Sequence, residues 1–334
     1  MQVFELQKFG LDGLIGSDRA IPHPGYGEVL VKLKAASLNY RDLLIIKGLY
    51  NPNLPLPIIP LSDGVGEVVE VGEKVTKVQT GDRVAGIFMQ DWLSGHLTKQ
   101  AAKSALGGEI NGVLAEYVIF PEDSLVSIPE HLTDAEAATL PCAGVTAWNA
   151  LIEGGLKPGD TVLILGTGGV SLLSLQFAQM IGARVIATSS SEEKLVRVKE
   201  LGAFAGINYQ TNPHWEKEVL SLTEGVGVDY IVEVGGAGTL AKSLKAVRFG
   251  GNISLIGVLA GTQAQVNPLL AVMKGVSIRG IYVGSKTMFT AMNKAIAHNQ
   301  IHPIVDRTFP VTEIVSALKY LESGSHFGKI SLIF

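Results

Sequence analysis

Apolar residues fall in two regimes along this chain. In the first third they alternate with polar ones in short runs broken by glycine and proline. Residues 28–36 (EVLVKLKAA) set Val29, Val31 and Leu33 against Lys32 and Lys34, the period of a half-buried strand. Residues 63–87 read as strands bent at Gly64, Gly66, Gly72 and Gly81, a spacing that suits a small β-barrel with tight corners. The stretch 89–112 is polar and weakly periodic, an excursion, and 114–119 regains strand character.

Farther along, the apolar runs become continuous. Residues 162–165 are unbroken, as in a strand buried on both faces of a parallel sheet. Gly166, Gly168 and Gly169 then predict a tight turn, 170–181 a helix stopped by Gly182, and 184–187 a second strand. After SSSEE comes a helix over 192–201, closed by Gly202. Strand, glycine turn, helix, strand is a βαβ unit. Further buried strands are expected at 228–234, 252–258 and 276–283, alternating with helices, which predicts a doubly wound parallel sheet of about six strands.

Thr133 and Glu136 form a capping box opening a helix that runs to Pro141, and 144–152 continues as an apolar helix. The tail carries helices near 290–297 and 313–322, the latter capped by Thr312 and ended by Gly324, then a strand at 329–334. A helix-strand tail after the sheet domain suggests that it folds back on the first domain.

The glycine turn carries the chemistry. A turn of this kind at a helix N-terminus offers backbone N–H groups beside Gly166, Gly168, Gly169 and Val170 to a pyrophosphate. The third position of G-x-G-x-x-G is Ser171, a small residue in place of the usual glycine. Where an NAD site places a carboxylate at the end of the second strand, Ser189, Ser190 and Ser191 stand, with Lys194 after them. Hydroxyls and an ammonium favour a 2′-phosphate, so NADP(H) is the expected cofactor. Ser190 can also cap the next helix through a capping box with Glu193. By the rule that ligands lie at the carboxyl ends of such strands, Gly235, Gly257, Val283 and Gly284 are expected near the cofactor.

Composition narrows the class. The 334 residues suit about two domains, and 47% hydrophobic with 17% charged residues marks a globular chain. A net charge of −4 argues against a nucleic-acid or membrane binder, and one cysteine excludes an internal disulfide framework. The beginning MQVFELQKFG shows no signal peptide, so a cytoplasmic protein is expected. Residues 161–183 are long and uncharged up to Arg184, yet their glycine turn with Gln176 and Gln179 fits a buried strand and helix better than a membrane span.

Four segments together resemble the medium-chain dehydrogenase/reductase superfamily, and within it the zinc-free quinone oxidoreductase and enoyl reductase branch. They are SLNYRDLLIIKGLY at 37–50, DGVGEVVEVG with GDRVAG inside 63–86, PCAGVTAW at 141–148 and the turn GTGGVS. The resemblance spans essentially the whole chain. It implies an α/β protein with a GroES-like β-barrel catalytic domain, 1–123 and 287–334, around a Rossmann NADP(H)-binding domain, 124–286.

Zinc-dependent relatives carry a cysteine, a histidine and a second cysteine where this chain has Asn39, Ser62 and Cys142. Only the last survives, short of the roughly three protein ligands a catalytic zinc needs. The four-cysteine lobe of those relatives would fall in 90–112, which has no cysteine, so no metal site is expected. His298 and His302 are spaced for one helix face, but Pro303 interrupts it and no third ligand is evident. The resemblance points to Tyr50 as proton donor, Asn39 near the nicotinamide ribose or substrate, and Tyr209 beside the adenosine phosphate. Arg41 is a further candidate donor, or a partner of Asp42 and Asp63.

These features predict a zinc-independent oxidoreductase that transfers hydride from NADPH to a carbonyl, a quinone or an α,β-unsaturated carbonyl compound. Two rivals stay open, a metal-free NADP-dependent alcohol dehydrogenase and a nucleotide-binding structural or regulatory protein without turnover. The family resemblance also implies a homodimer through the edge strand at 276–283, whose apolar residues need a partner or cover.

Overall fold

The computed structural model describes every residue except Val258, Ala260, Thr262 and Ala264. It divides into two compact units, Met1–Val145 with Val283–Phe334, and Thr146–Tyr282. The first border lies beyond 123/124 because the chain keeps pairing with the first unit past that point.

That unit begins with β1 (Gln2–Leu6) and β2 (Leu14–Asp18), an antiparallel pair. Then come β3 (Glu28–Ser37), β4 (Asp63–Val71), β5 (Arg83–Gly86), β6 (Tyr117–Pro121) and β7 (Leu125–Ser127), the last antiparallel to β5. β3 is the hub, pairing with both β4 and β6. Val29, Val31 and Leu33 are buried while Lys32 is exposed, as the alternation requires. Each such buried aliphatic side chain contributes about 1.5–3 kcal/mol. The strand expected at 114–119 is shifted to β6. The excursion at 89–112 holds one short helix, Lys99–Ala102, capped by Thr98.

Thr133 caps the helix Asp134–Ala137 through its box with Glu136, as expected. Pro141 ends nothing. It sits inside a wide π-type turn, Leu140–Gly144, that leads into the helix Val145–Leu151. Near a helix start, the missing N–H of proline costs little.

The second unit holds β8 (Thr161–Leu165), β9 (Arg184–Ser189), β10 (Ala205–Asn208), β11 (Val228–Glu233), β12 (Val247–Leu255) and β13 (Ser277–Gly280). Among the described residues these form one sheet in the order β10-β9-β8-β11-β12-β13, with every pair parallel. That is the doubly wound arrangement expected. The strand expected at 252–258 is the end of β12; Val258 itself lies outside the described residues. β13 is shorter than 276–283, because its pairing with β12 ends at Leu255 and Gly280.

The chain then returns to the first unit. The helix Lys286–Asn299 is longer than 290–297, capped by Ser285. The helix Ile314–Glu322 has Glu313 at its N-cap with no side-chain cap bond, so Thr312 does not cap it. β14 (Val305–Pro310) runs parallel to β15 (Lys329–Ile333), and β15 runs antiparallel to β3. The tail thus folds back on the first unit, as expected.

Candidate functional site

In the second unit all five residues of β8 are buried. Gly166 follows with φ of +75°, a left-handed conformation that favours glycine. Gly168 is the N-cap of the helix Gly169–Ile181 and has no side chain to cap it. A Cβ on Gly166 or Gly168 would meet no atom within 4 Å, so both open onto space. The first-turn amides of the helix, Gly169 and Val170 among them, lack intrahelical acceptors. Thr188 on β9 steadies the turn by accepting from the Gly166 amide at 3.3 Å. Ser171, 1% exposed, donates its hydroxyl to the Leu165 carbonyl at 2.8 Å. At the third position of the motif it therefore ties helix to strand. These residues fit a pyrophosphate.

β9 ends at Ser189, which is 3% exposed and accepts from the Ser191 amide at 3.3 Å. The cap of the next helix, Glu192–Glu200, is Ser191 and not Ser190. β9 extends two residues past the expected end, so the cap moves by one and Ser191 accepts from the Lys194 amide at 3.3 Å. Ser190 is left exposed at the turn. Glu192 is engaged with Asn208, accepting from its amide at 2.6 Å. The Tyr209 amide donates to the Ser189 carbonyl at 3.0 Å, which brings Tyr209 beside the serines.

Gly235 and Gly257 stand just past the carboxyl ends of β11 and β12, as the sequence places them, whereas Val283 does not directly follow a strand. The Gly235 amide is committed to the buried Glu233 carboxylate at 2.9 Å, which also accepts from Gly236, Thr239 and Ser243. Gly257 follows β12 and donates to the Glu233 carbonyl at 3.3 Å. Val283 is not a strand end. It is buried, has φ of +58° and belongs with the first unit.

A second constellation lies in the first unit, where β3, β4 and β15 meet. Register puts Ser37 opposite both Asp63 and Ser331. The fully buried Asp63 accepts from Ser62 Oγ at 2.8 Å, Ser37 Oγ at 3.4 Å and the Cys142 amide at 3.2 Å. Lys329, 5% exposed, stands 3.9 Å from Asp63 Oδ2. Its ammonium donates to the Leu38 carbonyl and to Asn39 Oδ1, each at 2.6 Å. Asn39 leads into the helix Tyr40–Ile46, its amide held by Asp42 Oδ2 at 2.8 Å. Burial raises the Asp42 carboxyl to about 6, against the opposing pull of Arg41. Burial and then Asp63 push the Cys142 thiol up, so it holds its proton.

Arg41 is stacked. Its guanidinium lies 4.5 Å from the Phe88 ring and 5.4 Å from the Tyr50 ring, and donates to the Leu106 carbonyl at 2.9 Å. It also stands 3.9 Å from Asp42 Oδ1. Tyr50 itself is 41% exposed. Sequence reasoning brought Asn39, Arg41, Asp42, Tyr50, Asp63 and Cys142 into one region and passed over Lys329. The only local signal for it was a charged residue opening an apolar strand, KISLIF.

The three positions where zinc-dependent relatives carry ligands do not fit a zinc ion. Ser62 is spent on Asp63, and Asn39 Oδ1 already faces the Lys329 ammonium, which leaves Cys142 as the one zinc-type donor of the three. Zinc binds thiolate, imidazole or carboxylate. Among the described residues no group of three or more His, Cys, Asp or Glu could hold a metal ion, and no helix is long and apolar enough to cross a membrane.

The alcohol dehydrogenase GroES-like domain matches residues 25–130, and the zinc-binding dehydrogenase domain matches 169–298. A zinc-type alcohol dehydrogenase-like protein of Schizosaccharomyces pombe is 46% identical over 97% of this chain and 96% of its own. The acryloyl-coenzyme A reductase of Metallosphaera sedula is 31% identical over 93% of each. A crystal structure of an NAD-dependent alcohol dehydrogenase superposes with a TM-score of 0.91 at 34% identity, covering 100% of both chains.

Proposed function

The chain belongs to the medium-chain dehydrogenase/reductase superfamily and is an oxidoreductase of its alcohol dehydrogenase type with a nicotinamide cofactor; from that premise we propose that it is a metal-independent, NADPH-dependent reductase of carbonyl, quinone or α,β-unsaturated carbonyl compounds. The observation that carries this is the Lys329 ammonium bonded to Asn39, at a position where zinc relatives have a ligand. The name of the acryloyl-coenzyme A reductase supports this reading, since acryloyl-coenzyme A is an α,β-unsaturated thioester.

The nicotinamide, when bound, supplies the hydride. Gly166, Gly168 and the amides of Gly169 and Val170 hold the pyrophosphate. Ser189, Ser190 and Lys194 receive the 2′-phosphate, with Tyr209 alongside; the absence of a carboxylate at the end of β9 supports NADPH. Substrate oxygen gains negative charge as hydride arrives, and the Asn39 amide is the donor that stabilises it. Tyr50 delivers the proton, with Arg41 stacked on its ring to hold it in place.

A homodimer through β13 goes with this function. Ile278 and Tyr282, with Leu269, Val272 and Met273 of the neighbouring helix Leu269–Lys274, are exposed large apolar side chains beside the edge of the sheet.

The test is turnover. Purified protein, stripped with dipicolinate and checked for metal by mass spectrometry, is assayed with NADPH and NADH against a panel of enones, quinones and aldehydes. Metal-free protein that oxidises NADPH faster than NADH is the expected result. Activity that disappears with the metal and returns with zinc refutes the metal-independent reading, and cofactor binding without any turnover refutes the enzyme.

A further inference from the structure

Two atoms of one side chain are treated in opposite ways. Asn39 Oδ1 accepts from the Lys329 ammonium at 2.6 Å, whereas Asn39 Nδ2 is buried with no partner among the described residues. The residue is only 9% exposed. A lysine ammonium has three donors and no lone pair. Turning the amide over would set two donors face to face next to a full positive charge, so the lysine fixes which end of Asn39 is which. The planar carboxamide then points its NH₂ away from Lys329. A buried donor left without an acceptor is destabilising, a penalty that an oxygen acceptor arriving at that spot would remove.

Resting on the function proposed above, we propose that Lys329 is a positioning residue: it locks the Asn39 carboxamide so that Nδ2 is presented to the substrate carbonyl oxygen, and it polarises that amide from the far side. Charge withdrawn at Oδ1 strengthens the N–H as donor, as in hydrogen-bond chains generally. The lysine is itself fixed from two further sides, by the Leu38 carbonyl at 2.6 Å and by Asp63 at 3.9 Å. Asp63 is in turn held by Ser62, Ser37 and the Cys142 amide. The site thus has an electropositive centre made of protein, one bond removed from the oxygen it serves.

A double-mutant cycle tests this. Asn39→Ala removes the donor and is expected to lower kcat by roughly 100-fold, the range for one such donor, with KM for NADPH changed by less than about threefold. Lys329→Met is expected to lower kcat by about 10- to 100-fold, and to add less than about threefold when Asn39 is already alanine. Effects that multiply overturn the proposal, because a lysine with a general structural role acts whatever stands at 39. Should Lys329→Met fail to fold, Lys329→Gln carries the same cycle, keeping a donor for Leu38 while giving up the charge.

A second readout is independent of turnover. Isobutyramide offers a carbonyl oxygen but is not reduced, and its isotope-edited C=O stretch is recorded in the protein–NADPH complex. The band should lie lower in wild type than in Asn39→Ala or Lys329→Met. The same band in all three proteins overturns the proposal. If wild type turns over no carbonyl compound, the function fails and the infrared band still decides on Lys329. If wild type is active and the cycle multiplies, only the role of Lys329 falls.

Discussion

Ser171 Oγ donates to the Leu165 carbonyl at 2.8 Å, fastening the first turn of the cofactor helix to the strand before it. The bond joins the two elements whose junction holds the pyrophosphate in the proposed cofactor site, and it does so with the residue that stands where the motif has its last glycine.

Ser171→Ala should therefore cost about 1 kcal/mol, the net worth of one buried hydrogen bond, measured by urea denaturation. Ser171→Leu should cost more, since the position is fully packed. An alanine variant as stable as wild type would mean the bond contributes nothing.

Ser190→Asp separates the two nicotinamide cofactors. The side chain is exposed, so the change leaves the packing intact. A carboxylate there should weaken NADPH binding by about 10- to 100-fold through repulsion of the 2′-phosphate, with NADH changed by less than about threefold. Fluorescence titration with both cofactors reads the ratio. Equal losses would remove the 2′-phosphate from this turn.

Asp42 makes a prediction for pH. Burial lifts its carboxyl from 3.8 to about 6, so the fold prefers the neutral form. Below pH 4 both folded and unfolded chains are protonated and nothing is lost. Between about 4 and 6 the unfolded chain releases the proton first, so folded stability falls, by on the order of 3 kcal/mol in all, and then levels off. Asp42→Asn can still accept from the Asn39 amide and does not titrate. Its stability relative to wild type should rise from pH 4 to pH 6 and stay flat above. A difference that is constant with pH would show that burial does not hold this carboxyl neutral.

Tyr50→Phe deletes only a hydroxyl at a half-exposed site. If that hydroxyl delivers the proton, kcat should fall by roughly 100-fold or more, with KM for NADPH unchanged. Arg41→Met should lower kcat less and stability more, because the guanidinium stacks on two rings and bonds the Leu106 carbonyl. Stopped-flow hydride transfer and thermal melts separate the two effects. A Tyr50→Phe protein with full kcat would leave the proton to another group.

What the sequence disclosed was what is local. A buried strand, a glycine turn and a capped helix are all written within about 20 residues, and the βαβ unit formed where they predicted it. The box of Thr133 and Glu136 formed for the same reason. At the end of β9 the local signal was ambiguous, with three serines in a row, and two more paired residues, Thr188 with β8 and Ser189 with β10, decided the cap in favour of Ser191. Lys329 was illegible because its partners are remote. Asn39 lies 290 positions away, and the contact exists only because β15 pairs with β3. Val283 was misplaced for a related reason, since a run of apolar residues does not reveal where the neighbouring strand stops.

The single sulfhydryl of this chain is kept in its protonated form by burial and by the adjoining Asp63. Enones and quinones are soft electrophiles that alkylate thiolates and react far more slowly with thiols. An enzyme that handled such compounds through many cycles would be poisoned by its own substrates if it displayed a reactive sulfur. On the proposed function, burial and then Asp63, the carboxylate that also steadies Lys329, would keep this sulfur unreactive toward such substrates.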